Sequence, residues 1–108
     1  MKRGELVTIA LQGDLGKPRP ALIIQANEFS ETVSVTILPV TSHLVDAPLL
    51  RVPLSPDQES GLTKESQVMI DKIITVKRAK IGQRIGRVSA EKLLQVERSL
   101  ALFLGIAS

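Results

Sequence analysis

A change of period divides this sequence. Up to Val88 the apolar residues come in short β-prone runs, each cut off by glycine, proline or a polar cluster; beyond it they recur at helical spacing. The runs are Glu5 to Ile9, Pro20 to Ile24, Val33 to Val40, Arg51 to Leu54, Gln67 to Ile70, Ile73 to Val76 and Arg84 to Val88. The third alternates, with Val33, Val35 and Ile37 on one face and Ser34 and Thr36 on the other. Pro53 cannot donate to a ladder, which assigns the fourth to a sheet edge. Gly13-Asp14-Leu15-Gly16, Asn27 to Glu31 and Ser55 to Gly61 carry turn chemistry. Ser89 then caps a helix with Glu91 in its first turn, Leu93, Val96, Leu100 and Phe103 form its apolar stripe, and Gly105 closes it. Six or seven short strands followed by one helix predict a mainly β fold. It would be a small, strongly bent sheet or barrel with the helix over one open side, a single domain over residues 1–108.

Composition narrows the function. The chain's aromatic residues are Phe29 and Phe103, so its core must be Leu, Ile and Val, and it offers no Trp or Tyr on which bases could stack. With no cysteine and the single histidine His43, thiolate sites, disulfides and multi-histidine metal sites within one chain are excluded, and no cofactor is expected. Met1-Lys2-Arg3-Gly4-Glu5 lacks the apolar core of a signal peptide, and no apolar run approaches the roughly 18 residues of a membrane helix. A cytoplasmic protein without a membrane partner is expected. The net charge of +3 is mild, but Lys77 to Arg87 holds five cations and no acid. Such a stripe either faces a polyanion or an acidic partner, or is a solvated hairpin.

The most constrained stretch is Gly16-Lys17-Pro18-Arg19-Pro20-Ala21-Leu22-Ile23-Ile24. Proline fixes its own φ and biases the preceding residue toward extended geometry, so Arg19 sits on a rigid base at the mouth of a strand. A guanidinium is a permanently charged planar fork of donors suited to a phosphate. By itself the pattern also describes a solvated loop arginine.

The order of short motifs along the chain resembles the MazF/PemK-like toxins of bacterial toxin–antitoxin systems. Arg3-Gly4-Glu5, Arg19-Pro20-Ala21-Leu22-Ile23-Ile24 and Pro39-Val40-Thr41-Ser42 are followed by Val52-Pro53-Leu54, Gly61-Leu62-Thr63-Lys64-Glu65-Ser66, Val68-x-x-Asp71 and Ile85-Gly86-Arg87-Val88-Ser89. The resemblance spans essentially the whole chain. It implies an SH3-like, CcdB-like β-barrel that forms a homodimer. It further implies a metal-independent endoribonuclease that cuts single-stranded RNA, often messenger RNA, at short motifs and is neutralised by a cognate antitoxin.

On that resemblance, Arg19 corresponds to the catalytic arginine and Thr41 to the catalytic threonine or serine. Metal-free RNA cleavage proceeds by attack of a 2′-hydroxyl on the adjacent phosphorus, and the phosphorane gains negative charge. Arg19 would stabilise that charge and the Thr41 hydroxyl would donate to a non-bridging oxygen. Ser42 is a second donor, and Lys17 and Lys72 are supporting cations. Asp71 reads either as a base or as a turn residue. His43, just past Thr41, reads as an acid–base group or as a solvated loop residue.

Two departures bear on the groove: Met69 stands two residues before Asp71 where relatives often carry arginine, and Ile74 replaces another arginine. Lys72 and the Lys77–Arg87 stripe are the available replacements. Two other readings compete: a CcdB-type toxin that binds gyrase without cutting RNA, and an inactive relative that keeps the antitoxin-binding surface. Against the first, Leu104-Gly105-Ile106 lacks the tryptophan of the Trp-Gly-Ile associated with that type.

Overall fold

Strands β1 (Glu5–Ile9), β2 (Arg19–Ile23) and β3 (Ser34–Thr41) carry apolar residues on both faces because alternate side chains feed two different cores. Leu6, Leu22, Leu38 and Val40 point into the first core; Val7, Ile9, Ala21, Ile23, Val35 and Ile37 build the second. The computed structural model describes residues 1–10 and 17–107. The predicted turn at Gly13–Gly16 lies outside them.

The remaining strands are β4 (Arg51–Leu54), β5 (Ser66–Met69), β6 (Ile74–Lys77) and β7 (Ile81–Arg87). Every pairing is antiparallel, in the order β4-β5-β3-β2-β1-β7, with β6 also on β3. β4 takes the edge that Pro53 demands. β5 and β6 follow one another along the same side of β3, separated by a turn of 3-10 helix at Ile70–Lys72. That jog splits the partners of β3 into two sub-sheets and bends the whole into a barrel-like shape.

The path of strands does not close on itself; a turn seals it. Residues 57–61, leaving β4, lie against β7, where the Arg87 amide donates to the Glu59 carbonyl at 2.8 Å. Gly61 has φ +70, and a Cβ there would strike the Ile85 carbonyl; a Cβ on Gly86 would strike the backbone of Ser60 and Glu59. Buried Ser60 organises the turn, its amide donating to Asp57 Oδ1 at 2.6 Å and its hydroxyl accepting from the Leu62 amide at 3.2 Å.

Helix α1 (Ala90–Phe103) covers the first core through fully buried Val96, flanked by Leu93 and Leu100. Ser89 Oγ accepts from the Lys92 amide at 3.1 Å, and Gly105 at φ +74 ends the helix. Two expectations shift at element ends. Val33 precedes β3 and is 81% exposed rather than inward, and Phe103, in the last helical turn, is 45% exposed.

Candidate functional site

At the end of β2 and β3 away from the seam, the apolar faces give way to polar residues. The β2–β3 ladder pairs Ile23 with Ile37, Leu22 with Leu38 and Ala21 with Pro39. Continued by two residues, that register sets Arg19 across from Thr41. Both belong to the face opposite Leu22, Leu38 and Val40. Arg19 is exposed and Thr41 half-buried at the last position of its strand. Lys17, Ser42 and His43 are also exposed, so the site is an open surface rather than a pocket, a shape that suits a polymer.

The polar turn after Thr41 is held by a chain of hydrogen bonds. Thr41 Oγ1 accepts the His43 amide at 3.0 Å, which leaves the hydroxyl hydrogen available to an outside acceptor. Thr41 pairs across the ladder with Gln67 on β5. The Gln67 side-chain amide grips Val45 by both backbone groups, accepting from its N–H at 3.2 Å and donating to its carbonyl at 3.0 Å. Arg51 Nη1 donates to Gln67 Oε1 at 2.9 Å and to the His43 carbonyl at 3.3 Å. Thr41, Gln67 and Pro53 form one cross-strand row, and Met69 and Arg51 the next on the same face.

Asp71 and Lys72 lie just beyond, on the 3-10 turn that follows β5, joined by an ion pair of 3.1 Å. The Lys72 hydrogen bond is the main reason the Asp71 carboxyl is held below its ordinary range; burial works against it, and the charges of Lys72 and Arg51 add to the lowering. The β2–β3 register thus brings Arg19 and Thr41 to one face, while Asp71 and Lys72 occupy the turn between β5 and β6.

The three arginines of the cationic stripe are engaged by partners of their own. Arg78 folds back onto the Ser30 and Thr32 carbonyls, Arg84 pairs with Glu5 at 2.6 Å, and Arg87 lies 3.7 Å from Glu59. Sequence reasoning passed over Arg51 and Gln67. Gln67 comes opposite Thr41 only through strand pairing, Arg51 reaches Gln67 across 16 residues, and an arginine opening a short edge strand carries no local motif.

A family described as PemK-like, MazF-like toxin of type II toxin-antitoxin system matches residues 2–104. The chain belongs to that family. The probable endoribonuclease MazF of Mycolicibacterium smegmatis is 45% identical over 108 residues, with 99% of each chain covered. Among solved structures, a mycobacterial endoribonuclease in complex with its cognate antitoxin has the same fold, with a TM-score of 0.85 at 23% identity over 100% of this chain and 98% of that one. A MazE–MazF crystal structure from Deinococcus radiodurans gives 0.79 at 26% identity, over 99% and 97%. The likeness bears out the MazF/PemK resemblance and the barrel-like fold. Among the described residues, the toxin has no helix long and apolar enough to cross a membrane.

Proposed function

We propose that this toxin cuts single-stranded RNA at the face shared by Arg19 and Thr41, by attack of a ribose 2′-hydroxyl on the adjacent phosphorus. The chain is an endoribonuclease of the MazF type, a homodimer kept inactive by a cognate antitoxin, and it acts in the cytoplasm where messenger RNA is found. Its relatives are named endoribonucleases and occur in antitoxin complexes, so the gyrase-binding alternative is not favoured. The observation that carries the site assignment is the β2–β3 register, which aims Arg19 and Thr41 at one end of one face.

In the reaction the 2′-oxygen bonds to phosphorus, the phosphorus–O5′ bond breaks, and a 2′,3′-cyclic phosphate and a 5′-hydroxyl remain. One proton leaves the nucleophile and one reaches the leaving oxygen. Arg19 meets the charge that builds on the non-bridging oxygens. Thr41 donates its hydroxyl hydrogen to one of them, its oxygen already fixed by the His43 amide. Ser42 adds a second hydroxyl, and Lys17 adds positive charge beside Arg19. His43 contributes through its main chain. Asp71, bound to Lys72 and held in its ionised form, is a weak base near neutral pH and serves to orient Lys72.

The test is cleavage of a long single-stranded RNA in excess EDTA by the wild type, Arg19→Ala and Thr41→Ala. Loss of one stabilising donor of this kind costs about 100- to 1000-fold in rate. Cutting at a recurrent short site that survives chelation, falls by that factor in both variants and stops when the 2′-hydroxyl at the site is methylated supports the reading. Intact RNA at high enzyme excess, or undiminished cutting by both variants, overturns it.

A further inference from the structure

We propose that Arg51 is a second phosphate-binding residue of this face, gripping an RNA backbone phosphate near the one being cut. The inference rests on the RNA-cutting reading above and goes beyond it.

Arg51 is held differently from Arg3, Arg78, Arg84 and Arg87. Arg3, Arg84 and Arg87 each have a carboxylate partner, in Glu97, Glu5 and Glu59. Arg78 directs Nε, Nη1 and Nη2 all at internal acceptors. Arg51 anchors through Nη1 alone, on Gln67 Oε1 and the His43 carbonyl. Its Nε and Nη2 donate to no acceptor among the described residues, and it forms no ion pair with their carboxylates. The nearby carboxylate, Asp71, is taken up by Lys72. A half-buried guanidinium, oriented from one side and bonded to no carboxylate among the described residues, has room for a ligand anion on its open side. Two free nitrogens in one plane match the paired oxygens of a phosphate.

Its position fits a polymer contact. Arg51 stands directly across the ladder from Met69, the next pair on the same face beyond the Thr41–Gln67–Pro53 row. Arg19, Thr41 and Arg51 therefore lie on one face of three adjoining ladders, where successive phosphates of an extended strand can meet them. A guanidinium from β4 also supplies charge beside Met69, where the resemblance leads one to expect an arginine.

The test measures binding of an uncleavable RNA, the recurrent cut site with every 2′-hydroxyl methylated, to the wild type, Arg51→Met, Arg51→Lys and Gln67→Leu over a range of salt. Loss of one single-strand phosphate contact lowers the slope of log K against log salt by about 0.7. Arg51→Met is expected to show that drop with several-fold weaker binding. Arg51→Lys should keep the slope with partial loss of affinity, because a point charge replaces the fork. Gln67→Leu, which keeps the charge but removes the shorter of its two anchoring bonds, should weaken binding without changing the slope. If Arg51→Met slows cutting while affinity and slope stay at wild-type values, the residue only positions the Thr41 turn and the proposal fails. Should Arg51→Met not fold, a changed slope in Arg51→Lys or undiminished affinity in both remaining variants overturns it. Wild type that neither cuts nor binds the RNA removes the underlying reading itself, a result distinct from failure at Arg51.

Discussion

The two ends of the sheet are built by opposite means. At the seam, backbone meets backbone: Gly61 and Gly86 let the 57–61 turn lie on β7 with no side chain between, and the Arg87 amide bonds directly to Glu59. At the Arg19–Thr41 end, side chains hold the turn, through Thr41 Oγ1, Gln67 and Arg51. At Gly61 and Gly86 the seam leaves no room for a side chain. A turn held by side chains leaves hydroxyl and guanidinium hydrogens facing outward. Stability should therefore reside at the first end and activity at the second.

Gly86→Ala should break that division most severely. The added methyl meets the backbone of Ser60 and Glu59, which cannot swing aside as a side chain would. A cost of about 3 kcal/mol or more is expected, enough to lower the melting temperature by over 10 °C for a chain of this size. Activity should fall only as the folded fraction falls. Arg19→Ala should do the reverse, losing about two orders of magnitude in cleavage while melting within a few degrees of the wild type. Thermal melts and cleavage rates on both variants check the pair; a shared loss of both properties in Arg19→Ala would erase the distinction.

Much of this was legible in the sequence. Seven β-prone runs became seven strands, the Ser89 cap and Gly105 stop mark the helix, and Pro53 identified the edge. Those features depend on local chemistry of a few residues. The two cores were hidden, because a strand buried on both faces loses the alternation that reveals which side chain goes where. The stripe from Lys77 to Arg87 read equally as a polyanion-facing surface or a solvated hairpin, because Glu5 and Glu59, which engage Arg84 and Arg87, lie far away in sequence. On the proposed RNA face, Arg19 and Thr41 stood out through motif order, whereas Arg51 and Gln67 become neighbours only through β4–β5–β3 pairing.

Ser89→Ala tests a smaller contribution near the seam. Removing the Oγ that accepts from Lys92 leaves a helix N–H without its cap, for a loss of about 1 kcal/mol. The melting temperature should fall by about 4–8 °C with cleavage per folded molecule unchanged. An equal loss of activity would mean that α1 communicates with the Arg19 end.

The finest test uses two carboxylates, one at each end. For Glu5, burial opposes the charge, but the Lys2 amide at 2.6 Å and Arg84 at 2.6 Å outweigh it and leave the carboxyl below its ordinary value. Asp71 is lowered chiefly by Lys72. A carboxyl whose folded value is depressed adds stability above the unfolded value, about 3.9 for Asp and 4.3 for Glu, and loses it as pH falls through the folded value. Glu5→Gln should therefore lower the melting temperature slightly at pH 7 and flatten its fall below about pH 4.3, since that group no longer titrates. Arg84 is half-exposed and solvent screens the pair, so the effect at neutral pH should stay below about 1 kcal/mol. Cleavage at pH 7 should be unaffected. Asp71→Asn should also lower the melting temperature slightly at pH 7, Lys72 being exposed and the pair screened by solvent, but unlike Glu5→Gln it should slow cleavage, because Lys72 loses its partner on the proposed RNA face. Melting curves from pH 3 to 7 beside cleavage rates at pH 7 separate the two. If Asp71→Asn left cleavage unchanged and Glu5→Gln slowed it, the assignment of the two ends would be reversed.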